Sequence, residues 1–414
     1  MIKFNKHILP NGLRLLHHFD DSTQMVAVNV VYDVGSRDEH PGKTGFAHLF
    51  EHLMFGGSIN IPEYDVPAQQ AGAENNAWTN EDATCYYIAI PRQNVETAFW
   101  LESDRMLSLA FSEKSLLVQK QVVIEEFKQR YLSQPYGDVS HLVRAMAYRQ
   151  HPYSWPTIGK EPKHIEDATL EDVKAFFFRH YAPNNAVLSV TGNISWQEAL
   201  ALTEKWFGAI ERRDISARQL PQEPQQTAPR QQTVERNVPT DAIYKAYHIY
   251  GKTDPKFNAC DMLSDILASG RSARLFQHLV MDKPLFSEIN AYISGNTDPG
   301  LLHITGKPSA GVSLEEANDA IQQEIEKVCA EPIASRELEK LKNKFESEEL
   351  FSNINYLNKA TNLGLFELLG DAELINEEVD KYRAVDADLL QATAREVLSE
   401  NNCSTLFYKS DGKQ

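Results

Sequence analysis

Two histidines four residues apart, His48 and His52, with Glu51 directly before the second, are the residues of this chain best placed to do chemistry. Read as a helix, the stretch 45–57 (GFAHLFEHLMFGG) puts both imidazoles one turn apart on one face. Imidazoles so spaced can share one metal ion, and zinc is the usual choice. Glu51 then projects beside the ion, where it can take a proton from a water that the metal activates. The order, H-x-x-E-H, inverts the common H-E-x-x-H zinc-protease motif. Phe46, Leu49, Phe50, Leu53, Met54 and Phe55 make the segment apolar on most faces, which predicts a buried helix. Two histidines and a glutamate do not belong in a dry core unless something pairs with them, and a metal is that something.

A zinc ion held by two histidines needs a third protein ligand. Residues 112–131 carry a helical pattern whose apolar stripe (Leu117, Val122, Val123, Ile124, Phe127) is interrupted by Glu125 and Glu126. Glu126 follows Val122 and Val123 by four and three positions and shares their inward face. Glu125 is expected to be more exposed. Glu126 is the candidate third ligand.

The elements that must hold these residues belong to a long chain. At 414 residues it implies two to four domains, and 42% hydrophobic with 24% charged residues is an ordinary soluble composition. The net charge of −17 argues against nucleic acid or an anionic membrane as a partner. Such a balance suits basic or unfolded peptides, and equally a merely solvated acidic surface. Four scattered cysteines read as reduced and intracellular. With no apolar run at the N-terminus and none long enough to span a bilayer, a cytoplasmic protein is expected.

Along the chain, strands are predicted over 3–9, 13–18, 25–33, 73–79, 83–90 and 186–191, with helices over 94–111, 138–148, 170–180 and 195–208. Residues 214–232 hold three prolines and six glutamines with little apolar content, the mark of a linker. The expected division is a zinc-binding domain over 1–213, a linker over 214–234 and a metal-free domain over 235–414. Setting Gly57 on Gly270 aligns a strand, a turn and an apolar helix in both halves, with Asp261, Ser264 and Asp265 opposite His48, Glu51 and His52. The fold class is therefore α+β: two homologous halves, each a mostly antiparallel sheet packed with helices.

In these segments the chain resembles the pitrilysin/insulinase family of zinc peptidases, in its short branch related to mitochondrial processing peptidase. The likeness runs from Leu9-Pro10-Asn11-Gly12-Leu13 through His48-Leu49-Phe50-Glu51-His52, Ala77-Trp78-Thr79, Val122-Val123-Ile124-Glu125-Glu126, His151-Pro152-Tyr153 and Tyr181-Ala182-Pro183-Asn184-Asn185. The resemblance implies one zinc per chain on His48, His52 and Glu126, with Glu51 as general base. It also implies that the strand around Asn76, Ala77 and Trp78 grips substrate peptides by strand addition. Two positions depart from the family pattern. Gln119 stands where a glutamate usually precedes the third ligand, and Val280 and Ser287 stand where complete members carry an arginine and a tyrosine. The resemblance thus implies half of a clamshell heterodimer: a zinc endopeptidase subunit for unstructured peptides whose homologous, metal-free partner supplies the arginine and tyrosine. The alternative is a non-catalytic scaffold or peptide-binding subunit of the same fold.

Overall fold

Residues 25–32 (MVAVNVVY) are buried almost end to end, because the sheet they belong to is covered on both faces. This strand is β3 (Met25–Tyr32) of a six-stranded sheet with β1 (Asn5–Ile8), β2 (Arg14–Phe19), β4 (Glu74–Thr79), β5 (Thr84–Pro91) and β6 (Ala186–Gly192), in the order β1-β2-β6-β3-β5-β4. Only the β2–β6 pair is parallel. Side chains alternate across β3 and β5. On one face Tyr86, paired with Val30, donates its hydroxyl to the Phe50 carbonyl of the helix Phe46–Leu53 at 3.2 Å. On the other face Val31, Cys85 and Asn29 meet the helix Tyr356–Leu368. Asn29, polar in an apolar strand, donates to Thr361 at 2.8 Å and accepts from Cys85 at 3.2 Å. That helix approaches closely because it carries Gly364, where a Cβ would lie 2.7 Å from Val31.

The computed structural model describes residues 1–412 and forms two compact units. The first consists of residues 1–130, 155–221 and 350–377, the second of 131–154, 222–349 and 378 onward. The units are therefore interleaved stretches rather than the consecutive blocks 1–213 and 235–414. The helix Val139–Ala147, from the first half of the chain, roofs the second sheet through Val143, Met146 and Ala147. The helix Tyr356–Leu368, from the second half, roofs the first.

The second sheet joins β7 (Arg230–Arg236), β8 (Ala242–His248), β9 (Phe286–Ile293), β10 (Leu301–Pro308) and β11 (Cys403–Ser410) in the order β7-β11-β8-β10-β9. Its only parallel pair is β7–β11. Placing β7 on β2, β11 on β6, β8 on β3, β10 on β5 and β9 on β4 reproduces the order and sense of every pairing in the first sheet apart from β1. The two halves thus share one topology. In the second, the helix Phe257–Ala268 follows β8 as Phe46–Leu53 follows β3. There Asp261 accepts from the Tyr382 hydroxyl at 2.6 Å and Asp265 from Lys344 at 2.5 Å, so protein donors satisfy these two carboxylates.

The expected linker is corrected at its end, since β7 begins at Arg230. Its start is also tied down. Arg213 donates to the Tyr181 carbonyl at 2.6 Å, and Arg218 binds Asp38 at 2.6 Å and Asp33 at 2.8 Å. Within the second unit, Glu223 accepts the backbone N–H groups of residues 149, 150 and 151. A polar, proline-rich stretch can be ordered by its charges while lacking regular structure. Among the described residues no helix is long and apolar enough to cross a membrane.

Candidate metal centre

The helix Phe46–Leu53 buries Phe46, Ala47, Leu49, Phe50 and Leu53 and leaves His48, Glu51 and His52 half-buried on the remaining face. Phe50 stacks on Phe176 and Tyr181 with centroids 5.1 and 5.0 Å away. The helix opens at Gly45, in the left-handed region with φ 89°, and no side chain at that position caps it. Glu39 supplies the cap instead. Its carboxylate accepts from Gly45 N at 2.9 Å, Ala47 N at 2.8 Å and the Trp155 indole N–H at 3.0 Å.

Glu126 comes from the helix Glu113–Phe127, which Ser112 caps by accepting from Ser115 N at 3.0 Å. Its buried face is narrower than the sequence pattern: Leu116, Val123 and Phe127 are inside, whereas Leu117 and Val122 are 58% and 43% exposed. Glu126 adjoins Val123 on that face. Glu125 is exposed and pairs with Lys128 at 2.7 Å.

These two helices bring His48, His52 and Glu126 together. Glu126 Oε2 lies 3.6 Å from His48 Nε2 and 3.5 Å from His52 Nε2, the rings stand at 88°, and one ligand atom from each residue lies within 4.8 Å of the others. A tetrahedral zinc with bonds of about 2.0–2.1 Å sets neighbouring ligand atoms roughly 3.4 Å apart, so the separations from Glu126 fit. His48 Nδ1 is buried without a hydrogen-bond partner. A half-buried pair of imidazoles and a carboxylate is the nitrogen and oxygen donor set that zinc takes.

Burial pushes His48 down to about 4, with Glu126 pulling it up and His52 lowering it further. The hydrogen bond with His52 holds Glu126 below the usual carboxylate range, against burial. At neutral pH the site therefore offers a neutral His48 and an ionised Glu126, the forms that bind metal. Burial raises the Glu51 carboxyl, while Thr79 and His52 oppose the rise. Thr79 Oγ1 is buried without a hydrogen bond of ordinary geometry, so its pull on Glu51 is weak.

Arg130 went unnoticed in the sequence. From the π-helical turn Lys128–Leu132 it donates to Glu126 Oε1 at 3.0 Å, leaving Oε2 to the histidines. Glu39 was missed too, although a helix start without Ser, Thr, Asp or Asn at the cap position signals a cap from elsewhere.

Asn76, Ala77 and Trp78 lie on β4, which pairs only with β5 and closes the sheet as its edge strand. Ala77, opposite Tyr86, faces the side of the histidine helix, and Asn76 and Trp78 face the other. Gln119 is half-buried two turns before Glu126 on the same helix. In the second unit Val280 packs against the core and Ser287 donates to the Lys307 carbonyl at 3.1 Å.

Comparison with known proteins bears on the whole chain. Residues 15–161 match the family model described as insulinase (peptidase family M16), and residues 167–345 match the one described as peptidase M16 inactive domain. The zinc protease PqqE of Helicobacter pylori is 29% identical over 412 residues, covering 97% of this chain and 91% of that protein. The crystal structure of a protease from Helicobacter pylori superposes with a TM-score of 0.93 at 27% identity, over 99% of this chain and 100% of that one. The periplasmic protease PqqL of Escherichia coli shares the fold at 18% identity with a TM-score of 0.79, and this chain covers 98% of itself but 47% of PqqL. Matched by both family models along most of its length, the chain belongs to the insulinase family, peptidase family M16.

Proposed function

We propose that this chain is the metal-bearing subunit of a zinc-dependent endopeptidase for unstructured peptides, holding one zinc on His48, His52 and Glu126. The observation that carries the reading is the convergence of these three side chains from two separate helices onto one point. Bound there, zinc would polarise the scissile carbonyl and acidify water near it. Glu51, on the same helix face and made more basic by burial, takes the proton of the attacking water and returns it to the leaving amine. The free edge of β4 at Asn76, Ala77 and Trp78 holds an extended peptide through main-chain hydrogen bonds, with little demand on its sequence.

Val280 and Ser287 offer no cation or phenol to the developing oxyanion, so those groups come from a homologous metal-free partner in a heterodimer. In support, PqqL carries this fold within a chain about twice as long. The test is peptide hydrolysis by this chain alone and mixed with its homologous partner, with zinc measured alongside. One zinc per chain and activity only in the mixture is the expected result. Full activity of the isolated chain overturns the split site, and absence of zinc overturns the ligand set.

A further inference from the structure

Glu39 is 6% exposed, and its three hydrogen bonds come from two backbone N–H groups and an indole. None of these donors carries a positive charge. With no counter-cation, burial pushes the Glu39 carboxyl up to about 8 against these three hydrogen bonds, and a neutral cap such as Ser or Asn would satisfy a helix start at less cost. Both carboxylate oxygens are used: Oε1 on Ala47 N, the residue directly before His48, and Oε2 on Gly45 N and Trp155. The helix so gripped is only eight residues long, and its cap residue has no side chain of its own to offer. The loop beneath is locked as well. A Cβ on Gly45 would lie 2.7 Å from the Ile158 carbonyl, one on Gly159 would lie 2.9 Å from Thr44, and Lys160 N donates to Thr44 Oγ1 at 2.8 Å.

Resting on the metal-site reading above, we propose that Glu39 is a positioning residue for the metal centre: its buried carboxyl group grips both ends of the first turn and so fixes the start of the histidine helix. The fork is kept because His48 and His52 must both point at Glu126. Groups that hydrogen-bond metal ligands directly typically change affinity 10–100-fold, and Glu39 acts one residue removed, through Ala47 N.

The experiment measures zinc affinity of the full chain by competition with a chelator, alongside its thermal midpoint, for wild type, Glu39→Gln, Glu39→Asp and Trp155→Phe. Gln keeps the shape but turns an NH2 towards one of the N–H donors. Glu39→Gln should bind zinc at least tenfold more weakly. Trp155→Phe, which removes one donor and leaves both helix contacts, should lower the thermal midpoint with unchanged affinity. Should Glu39→Gln not fold, Glu39→Asp decides: it keeps a carboxyl group, falls a methylene short of the two amides and is expected to lose about tenfold. Wild-type affinity in the deciding variant at a lowered thermal midpoint would leave Glu39 a structural cap and overturn the proposal. Failure of wild type itself to bind zinc would instead sink the metal-site reading and this inference with it.

Discussion

Glu51 lies outside the three converging ligand candidates, so on the proposed reading its removal separates chemistry from metal retention. Glu51→Gln should cut turnover by about 10²–10⁴-fold while zinc content stays at the wild-type level. Loss of zinc in that variant would reassign Glu51 to the ligand set. His48 makes a second prediction. Its pKa is lowered to about 4 in the folded protein from an ordinary 6.5, so the unfolded chain binds a proton over that interval and the folded chain does not. Stability of the metal-free protein should thus fall as pH drops from about 6.5 to about 4, and His48→Ala should flatten that fall in thermal midpoints measured across the range. His48, Glu51 and His52 were legible because their spacing is local and a helix fixes what that spacing means. Glu126 followed from a neighbouring apolar face. Glu39 and Arg130 were not legible, since each acts on the site through a contact that only tertiary packing creates.

At the scale of elements, the helix Tyr356–Leu368 is held to the first sheet by polar contacts as well as apolar ones. Lys359 pairs with Asp20 at 2.7 Å, and Glu367 pairs with Lys6 at 2.7 Å. The hydrogen bond from Lys359, helped by Ser22, lowers the Asp20 carboxyl to about 2. That stabilisation is present above about pH 4 and lost as pH falls towards 2. Discounted for solvent screening it is worth about 1 kcal/mol, so Lys359→Met should be destabilised by that amount at pH 6 and be close to wild type at pH 2 in urea titrations. Gly364→Ala tests the apolar side, because its Cβ meets Val31 at 2.7 Å and should cost about 1–3 kcal/mol in the same titration. Most strands and helices were readable from periodicity. The readings failed where a surface is decided by its neighbour: Leu117 and Val122 match the period yet face solvent, and the start of β7 lies in polar sequence that pairs alongside β11.

At the scale of the whole molecule, the shared strand order of the two sheets makes the internal repeat plain where the sequence alignment offered only a strand, a turn and a glycine. Invisible in the sequence was the exchange of roofs. The first half gives Val139–Ala147 to the second sheet, and the second half gives Tyr356–Leu368 to the first. A fragment of residues 1–221 should therefore melt without a cooperative transition in circular dichroism, its Asn29 and Val31 face uncovered, and a peptide of residues 350–377 should restore one. A fragment that melts cooperatively alone would show that the borrowed helix is dispensable.

The exchange also sets an order of events during synthesis. The ribosome releases His48 and His52 early, yet the sheet behind them stays unroofed until residue 377 has emerged. A prematurely terminated product carries the two histidines without the finished sheet behind them. Both faces of the first sheet are thus covered only once nearly all of the 414 residues have been made.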